Sequence, residues 1–412
     1  MAAPPRFRPP TEAITLLSLL VIGCGEGSPT APHDPIDSLP RSLTQQELVA
    51  IEASNDFAFR LLGEVRADLE PEENVFISPL SVSMALGMAA NGAAGGTLDA
   101  MKVALGVQGL TRDEMNEAYR GLLDVLPPLD PAVEVGIANS MWARQGFPLE
   151  EAFVERARSF FDARAEELDF ADPGARDVIN GWVDDMTHGR IAEIVAEIQS
   201  SDVLFLINAV YFKGDWTTRF DPAKTRTEPF SLGDGDFVDV PMMSAGEMPL
   251  GHYFGDGVAV ADLPYGGGAY SMTLVVPWEE DLSSVLADLT RARWDGWIGE
   301  LRKDTLPVFV PRFEMEFEAK LKDPLSRMGM GIAFTGAADF SDLTPVGVHI
   351  DRVVHKTFLK VDEKGSEAAA ATSVVFQDSL ASIFRADRPF LVAMRERLSG
   401  TILFLGAVYD PT

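Results

Sequence analysis

The chain has 412 residues, 46% hydrophobic and 24% charged, which provides for a large packed core and excludes a disordered polymer. Its formal net charge is −29, and no block of Lys and Arg interrupts that acidity, so recognition of nucleic acid through phosphate neutralisation is excluded. The acidity reads as solubility, or as a soft preference for basic partners. The single cysteine, Cys24, rules out an internal disulfide and a cysteine-based zinc site.

The first segment in chain order is "AITLLSLLVIGC", residues 13–24, with Arg6 and Arg8 before it. It has the length of a signal-peptide core and is too short to span a bilayer. Val21-Ile22-Gly23-Cys24 resembles a bacterial lipoprotein box, in which the cysteine becomes the lipidated first residue. Two expectations follow: residues 1–23 are a lipoprotein-type signal with lipidation at Cys24, or an ordinary secretory signal. Either way the protein is exported, lipid-anchored to the envelope or extracellular. The next stretch, "GEGSPTAPHDPIDSLPRS", is rich in Pro, Gly, Ser and Asp, so residues 24–45 read as a flexible tether. Residues 46–412 are expected to form one folded domain.

Apolar residues at helical spacing from Leu48 to Leu69 predict a helix. Val75–Ile77 predicts a short strand, and Ser78-Pro79 opens a second helix rich in small residues. That composition permits close approach to a covering sheet, and Gly92, Gly95 and Gly96 are expected to end the helix. Thr111–Leu126 and Asp177–Thr187 read as helices, the latter closed by Gly189, and Val133–Trp142 as a strand. Asp202–Trp216 is a near-continuous apolar strand, which implies cover on both faces. Further strands are predicted at Phe237–Met243, Val258–Pro264, Ser271–Val276, Leu306–Pro311, Phe313–Glu318 and Val353–Asp362. The chain closes with "FLVAMRE" and "TILFLGAVYD", joined at Ser399-Gly400. Helices early and strands late define a mixed α+β class.

Enzyme chemistry finds little support. There is no G-x-S-x-G elbow, the five histidines lack metal-site spacing, and "PYGGGAY" has neither the Walker lysine nor the dinucleotide pattern. No cofactor or metal is expected.

One stretch stays undecided by propensity: "DEKGSEAAAATSVVFQDSLASIFRADRPF", residues 362–390. Alanine favours helix, whereas Thr372, Val374, Val375 and Phe376 favour strand. This stretch and several others occur together: "NVFISPLSVSMALGMAANGAAGGT", "INGWVDDMTHGRI", "LINAVYFKGDWTTRFDPAKTRTEPF", "VPRFEMEFE", "LKDPLSRMGM" and "TILFLGAVYDP". In that order, over about residues 47–411, the chain resembles the serpin family. The resemblance implies a central β-sheet with two smaller sheets, eight or nine helices and an exposed reactive-centre loop. It implies a monomeric suicide-substrate inhibitor of serine proteases, sometimes of cysteine proteases, that forms a covalent 1:1 complex. The protease cuts the loop, and the cut loop enters the central sheet before the acyl-enzyme is hydrolysed. A non-inhibitory member acting as a binding or chaperone-like protein is the alternative.

The resemblance assigns the hinge and inserting segment to Glu363, Gly365, Ser366, Glu367, Ala368, Ala369, Ala370, Ala371 and Thr372. The residues themselves suit that role. Ser366, Ala368, Ala370, Thr372, Val374 and Phe376 are uncharged and can face an interior at a period of two. The alternate set, Glu367, Ala369, Ala371, Ser373, Val375 and Gln377, is more polar. No proline lies between Gly365 and Phe384 to remove a ladder donor. The resemblance implies a bait bond at the family's usual spacing, and counting forward from Glu363 at that spacing gives Ser379-Leu380. Counting back from Arg388-Pro389-Phe390 gives Asp378-Ser379. Leu380-Ala381 and Phe376-Gln377 are chemically suitable as well. Leu or Phe would suit a chymotrypsin-like pocket, Ser or Ala an elastase- or subtilisin-like one, and Asp an acid-specific one; no Arg or Lys lies between Lys364 and Arg385, which disfavours a trypsin-like target. The resemblance also assigns Ser78, Ser81, Asn208 and His355 to a polar shutter under the sheet, and Trp216 to the breach where insertion begins.

Overall fold

The computed structural model describes residues 34–233, 235–365 and 383–412. The chain starts with α1 (Gln45–Arg66), β1 (Val75–Ile77), α2 (Pro79–Ala90), α3 (Gly95–Leu105) and α4 (Arg112–Val125). Next come β2 (Val133–Arg144), α5 (Glu151–Phe161), β3 (Arg164–Leu168), α6 (Ala175–Met186) and β4 (Leu204–Gly214). Four strands follow: β5 (Arg226–Ser231), β6 (Phe237–Gly255), β7 (Val258–Tyr265) and β8 (Tyr270–Pro277). Two short helices, α7 (Leu282–Ala287) and α8 (Arg291–Gly299), lead to β9 (Arg302–Pro311) and β10 (Phe313–Lys320). The last elements are α9 (Lys322–Leu325), β11 (Val354–Val361), β12 (Phe384–Arg385), β13 (Phe390–Glu396) and β14 (Ile402–Val408).

Local chemistry explains the helix starts. Thr44 caps α1 and Glu47 returns the bond to the Thr44 amide at 2.7 Å, a capping box. Ser78 caps α2 from just before Pro79, which occupies the first turn where no amide donor is needed. Nearly every side chain of α2 is buried, so its Ser, Ala and Gly content lets it lie beneath other elements.

The strands form three sheets. The largest runs β1-β14-β13-β8-β7-β6-β9-β12, with β5 paired to β6. Its centre, β8, β13 and β14, is buried at every position, as continuous apolar runs require. The smaller sheets are β3-β2-β4 and β10-β11. Residues of α6 and β4 share a second apolar cluster, with Trp142, Ile179, Trp182, Val183 and Ile207 at its centre. So β4 is covered on both faces, α6 on one side and α2 on the other.

The structure departs from the sequence reading in several places. Gly95 and Gly96 open α3 rather than ending α2. Helices α3, α5, α7, α8 and α9 and strands β3, β5 and β12 had no sequence expectation. Strand β6 continues to Gly255 instead of stopping at Met243. The apolar strand ends at Gly214, so Trp216 lies beyond it. Finally, residues 34–44, within the range read as tether, are docked on the body. The Ile36 amide donates to the Gly267 carbonyl at 2.9 Å, and Ile36, Leu39 and Leu43 pack against the core. Residues 1–33, with the signal, Cys24 and the first part of the tether, lie outside the described residues.

Candidate loop-insertion site

Strand β11 carries the chain to Gly365. Along it His355, Thr357, Leu359 and Val361 are buried, while the alternate residues are half-buried. Its top is fastened to the segment after β4. The Trp216 amide donates to Lys364 O at 2.9 Å, and the Trp216 indole N–H donates to Asp362 O at 2.9 Å. The Phe220 amide donates to Glu363 O at 2.9 Å. The Glu363 side chain is buried and accepts from the Thr225 hydroxyl at 2.6 Å, with the Arg312 guanidinium at 3.5 Å. Trp216 is itself 2% exposed and stacks on Tyr265 at 4.3 Å.

Gly365 is held in a backbone state that favours glycine, at φ +138°. It bridges to Asp215 and to Asp362. A Cβ here would collide with the Gly214 carbonyl oxygen and lie 2.7 Å from Asp215 Cα and Trp216 N. Both the angle and the space demand glycine.

Below this fastening β4 and β11 do not pair; among the described residues no ladder joins them. A slot runs between them instead. Val210–Lys213 of β4 form one wall and Phe358–Lys360 of β11 the other, with Met394 and Phe404 of the large sheet below. The two strands run in the same direction. Their C-terminal ends meet at Trp216 and Lys364, and their N-terminal ends at a bidentate ion pair between Arg352 and Asp202. A strand descending from Gly365 would therefore run antiparallel to both walls.

Helix α2 touches both walls from beneath. The Ser78 amide donates to His355 Nε2 on β11 at 2.9 Å, and the Ser78 hydroxyl donates to Leu403 O at 2.8 Å. The Ser81 hydroxyl donates to Asn208 O on β4 at 3.4 Å. Asn208 Nδ2 donates to Asn139 Oδ1 at 2.8 Å, and Asn208 Oδ1 has no partner among the described residues. Burial pushes the His355 pKa down to about 4, so at neutral pH the ring is uncharged and free to accept from Ser78. The structure thus brings Ser78 to His355 and Ser81 to Asn208, while Trp216, Glu363 and Gly365 gather at the top of the slot.

The described chain resumes at Ile383 and leads into β12, two residues long and parallel to β9 at Val308 and Phe309. The Arg385 guanidinium lies 3.9 Å from the Phe309 ring centroid and reaches Glu228 on β5 at 2.6 Å, strapping the edge strand across the sheet face. Ser366, Glu367, Ala368, Ala369, Ala370, Ala371, Thr372, Asp378, Ser379 and Leu380 lie outside the described residues. Sequence reasoning missed Thr225, Arg312, Arg352 and Arg385. Each acts through a partner distant in sequence, and no local pattern signals such pairs.

Strand β11 thus leads to a glycine, beside a slot that separates two strands unpaired with each other among the described residues. The serpin family, serine protease inhibitors, matches residues 52–411. Iripin-1 of Ixodes ricinus is 38% identical, over 86% of this chain and 93% of its own. Human neuroserpin is 33% identical, over 87% and 91%. Among solved structures, the thermophilic serpin tengpin in its native state superposes with a TM-score of 0.80 at 28% identity, covering 92% and 97% of the two chains. Human thyroxine-binding globulin complexed with thyroxine gives 0.82 at 28%, covering 89% and 100%. The chain belongs to the serpin family, which places it with protease inhibitors rather than with enzymes.

Proposed function

We propose that this serpin is a suicide-substrate inhibitor of elastase-, subtilisin- or chymotrypsin-like serine proteases. The observation that supports this most is the slot between β4 and β11, which begins directly below Gly365. The protease serine hydroxyl attacks the Ser379 carbonyl carbon, the bond to Leu380 breaks, and the new Leu380 amine takes the proton. An ester between Ser379 and the protease remains. The segment from Ser366 then enters the slot as a strand, bonded to both walls by strand addition. Its small residues at interior-facing positions speed entry relative to hydrolysis. Asp378-Ser379 is the alternative bond. The leader 1–23 exports the protein, and lipidation of Cys24 anchors it to the cell envelope.

The test is incubation of the full chain with one protease of each class, followed by denaturing gels and mass mapping of the released C-terminal peptide. A denaturation-resistant 1:1 adduct, with peptide starting between residues 377 and 381, supports inhibition and identifies the bond. Clean cutting by every protease, with no adduct, favours a non-inhibitory binding role. That second reading draws on the likeness to human thyroxine-binding globulin, solved in complex with thyroxine. Partition into detergent by the wild type, lost in Cys24→Ala, tests the anchor.

A further inference from the structure

Residues 34–44 are fastened to the body at two points. At one, Arg41 forms a bidentate pair with Glu47 at 2.6 and 2.8 Å, and Glu47 is buried. At the other, the strap lies on the turn between β7 and β8. The Ile36 amide donates to Gly267 O at 2.9 Å, and a Cβ on Gly267 would lie 2.7 Å from the Asp34 carbonyl oxygen. The glycine run of "PYGGGAY" is therefore a seat for this strap, since only glycine at 267 lets the two backbones approach so closely.

The seat adjoins the foot of the loop. The Gly266 amide donates to Asp215 O at 2.8 Å, the Thr217 hydroxyl donates to Gly266 O at 2.8 Å, and Asp215 bridges to Gly365. Counting Cα spacings along these contacts puts Asp34 no more than about 20 Å from Gly365. Ten peptide bonds join Cys24 to Asp34, a reach of about 36 Å at full extension. However the body swings on that tether, the foot of the loop stays within about 55 Å of Cys24. The far end of β4, 11 residues long, is free to stand about 36 Å higher. The docked strap sets this limit, because freeing it would lengthen the tether from 10 residues (Cys24 to Asp34) to 21 (Cys24 to Gln45).

We infer that the target is a protease of the membrane surface, itself anchored or adsorbed there, because the lipid anchor and the reactive loop leave the body at the same end. This rests on the inhibitory reading and on the lipidation of Cys24 proposed above. Attachment of both partners to one surface raises the effective concentration of protease at the loop, and a short tether restricts that gain to active sites within its reach. The net charge of −29 opposes collapse of the body onto anionic lipid and so leaves the loop free to meet them.

The experiment uses the full lipidated chain in vesicles of phosphatidylethanolamine and phosphatidylglycerol, with flotation verifying the anchor. Thr217→Cys and Ser200→Cys, beyond the two ends of β4, each supply one free thiol, since Cys24 is the chain's single cysteine and carries the lipid. A dye at 217 is expected to transfer energy to an acceptor lipid more efficiently than a dye at 200. In parallel, the protease that the chain traps in solution is displayed on the same vesicles, either at the lipid or on a rigid helical spacer of about 150 Å. Adduct formation is expected to be about tenfold or more faster with the near protease than with the far one. A flexible Gly/Ser insert of about 60 residues between Ser28 and Pro29 should bring the far protease into reach. Cys24→Ala, free in solution, should trap both at one rate. Equal transfer from 217 and 200, or equal trapping near and far, by chains that float with the vesicles overturns this inference alone. A chain that does not float overturns the anchor, and one that traps no protease in solution overturns the inhibitory reading; this inference falls with either.

Discussion

Gly365 and His355 illustrate how single residues set the two ends of the problem. At Gly365 any side chain meets the backbone of 214–216 and requires a φ that L-residues rarely adopt. Gly365→Ala is expected to destabilise the uncut protein by about 1–3 kcal/mol, the scale of a strained backbone site. Denaturant unfolding of the uncut chain checks this, and an unchanged midpoint would sink the argument. His355 carries a pH prediction. Its pKa is about 4 in the fold, against 6.5 ordinarily, because burial disfavours the imidazolium. Between those values the unfolded chain binds the proton and the folded chain does not. Stability is therefore full above about pH 6.5 and is lost as pH falls towards 4, by an amount on the order of 3 kcal/mol. His355→Gln keeps an acceptor for the Ser78 amide and removes the titration. Its unfolding free energy should fall less steeply than that of the wild type between pH 6.5 and 4.5.

At the scale of elements, the proposed insertion makes the two-residue strand β12 a point of control. Seventeen residues, 366–382, join Gly365 to Ile383. Fully extended they reach about 60 Å. Filling a slot alongside the 11 residues of β4 takes about 36 Å, and returning to β12 takes as much again. Full insertion thus demands either a cut or the release of β12. Arg385, strapped over Phe309 to Glu228, opposes that release. Arg385→Ala is expected to shorten the active lifetime of stored, uncut protein several-fold. The check is residual inhibition against time, with mass spectrometry showing an intact chain; an unchanged lifetime would exclude the strap. Legibility in sequence also divides at this scale. Long periodic or wholly apolar elements, such as α1, α4, β13 and β14, show their type in the spacing of their own side chains. Strand β12 is too short to show a period and β5, RTEPFS, has too few apolar residues to show one, so their places depend on partners elsewhere in the chain. Residues 34–44 misled for another reason. Pro, Asp and Ser dominate them, while the three residues that dock, Ile36, Leu39 and Leu43, are spaced among that polar background. The slot was not visible either, because an absent pairing between β4 and β11 leaves no mark on either strand.

For the whole molecule, the proposed insertion draws on pairing that the described residues leave unmade between β4 and β11. Both walls present backbone donors and acceptors, and α2 bridges them with a few polar bonds rather than a ladder. In the proposed mechanism an added strand would satisfy two edges at once and bury the interior-facing set from Ser366 to Phe376. Conformational entropy opposes this by about 1–2 kcal/mol per ordered residue, so the gain rests on side chains that enter without strain. Small residues at the leading positions meet that condition. The cut chain should accordingly unfold about 10 °C or more above the uncut chain. Thr372→Arg places a charge on the face that must become interior, where an unpaired charge is costly. It should leave the uncut protein's stability unchanged, remove most of the gain on cutting, and convert an inhibitor into a substrate. Calorimetry of the four samples, wild type and variant, cut and uncut, checks this. A full gain in the cut variant would mean that Thr372 does not face the interior and that the period-two assignment of residues 366–377 is wrong.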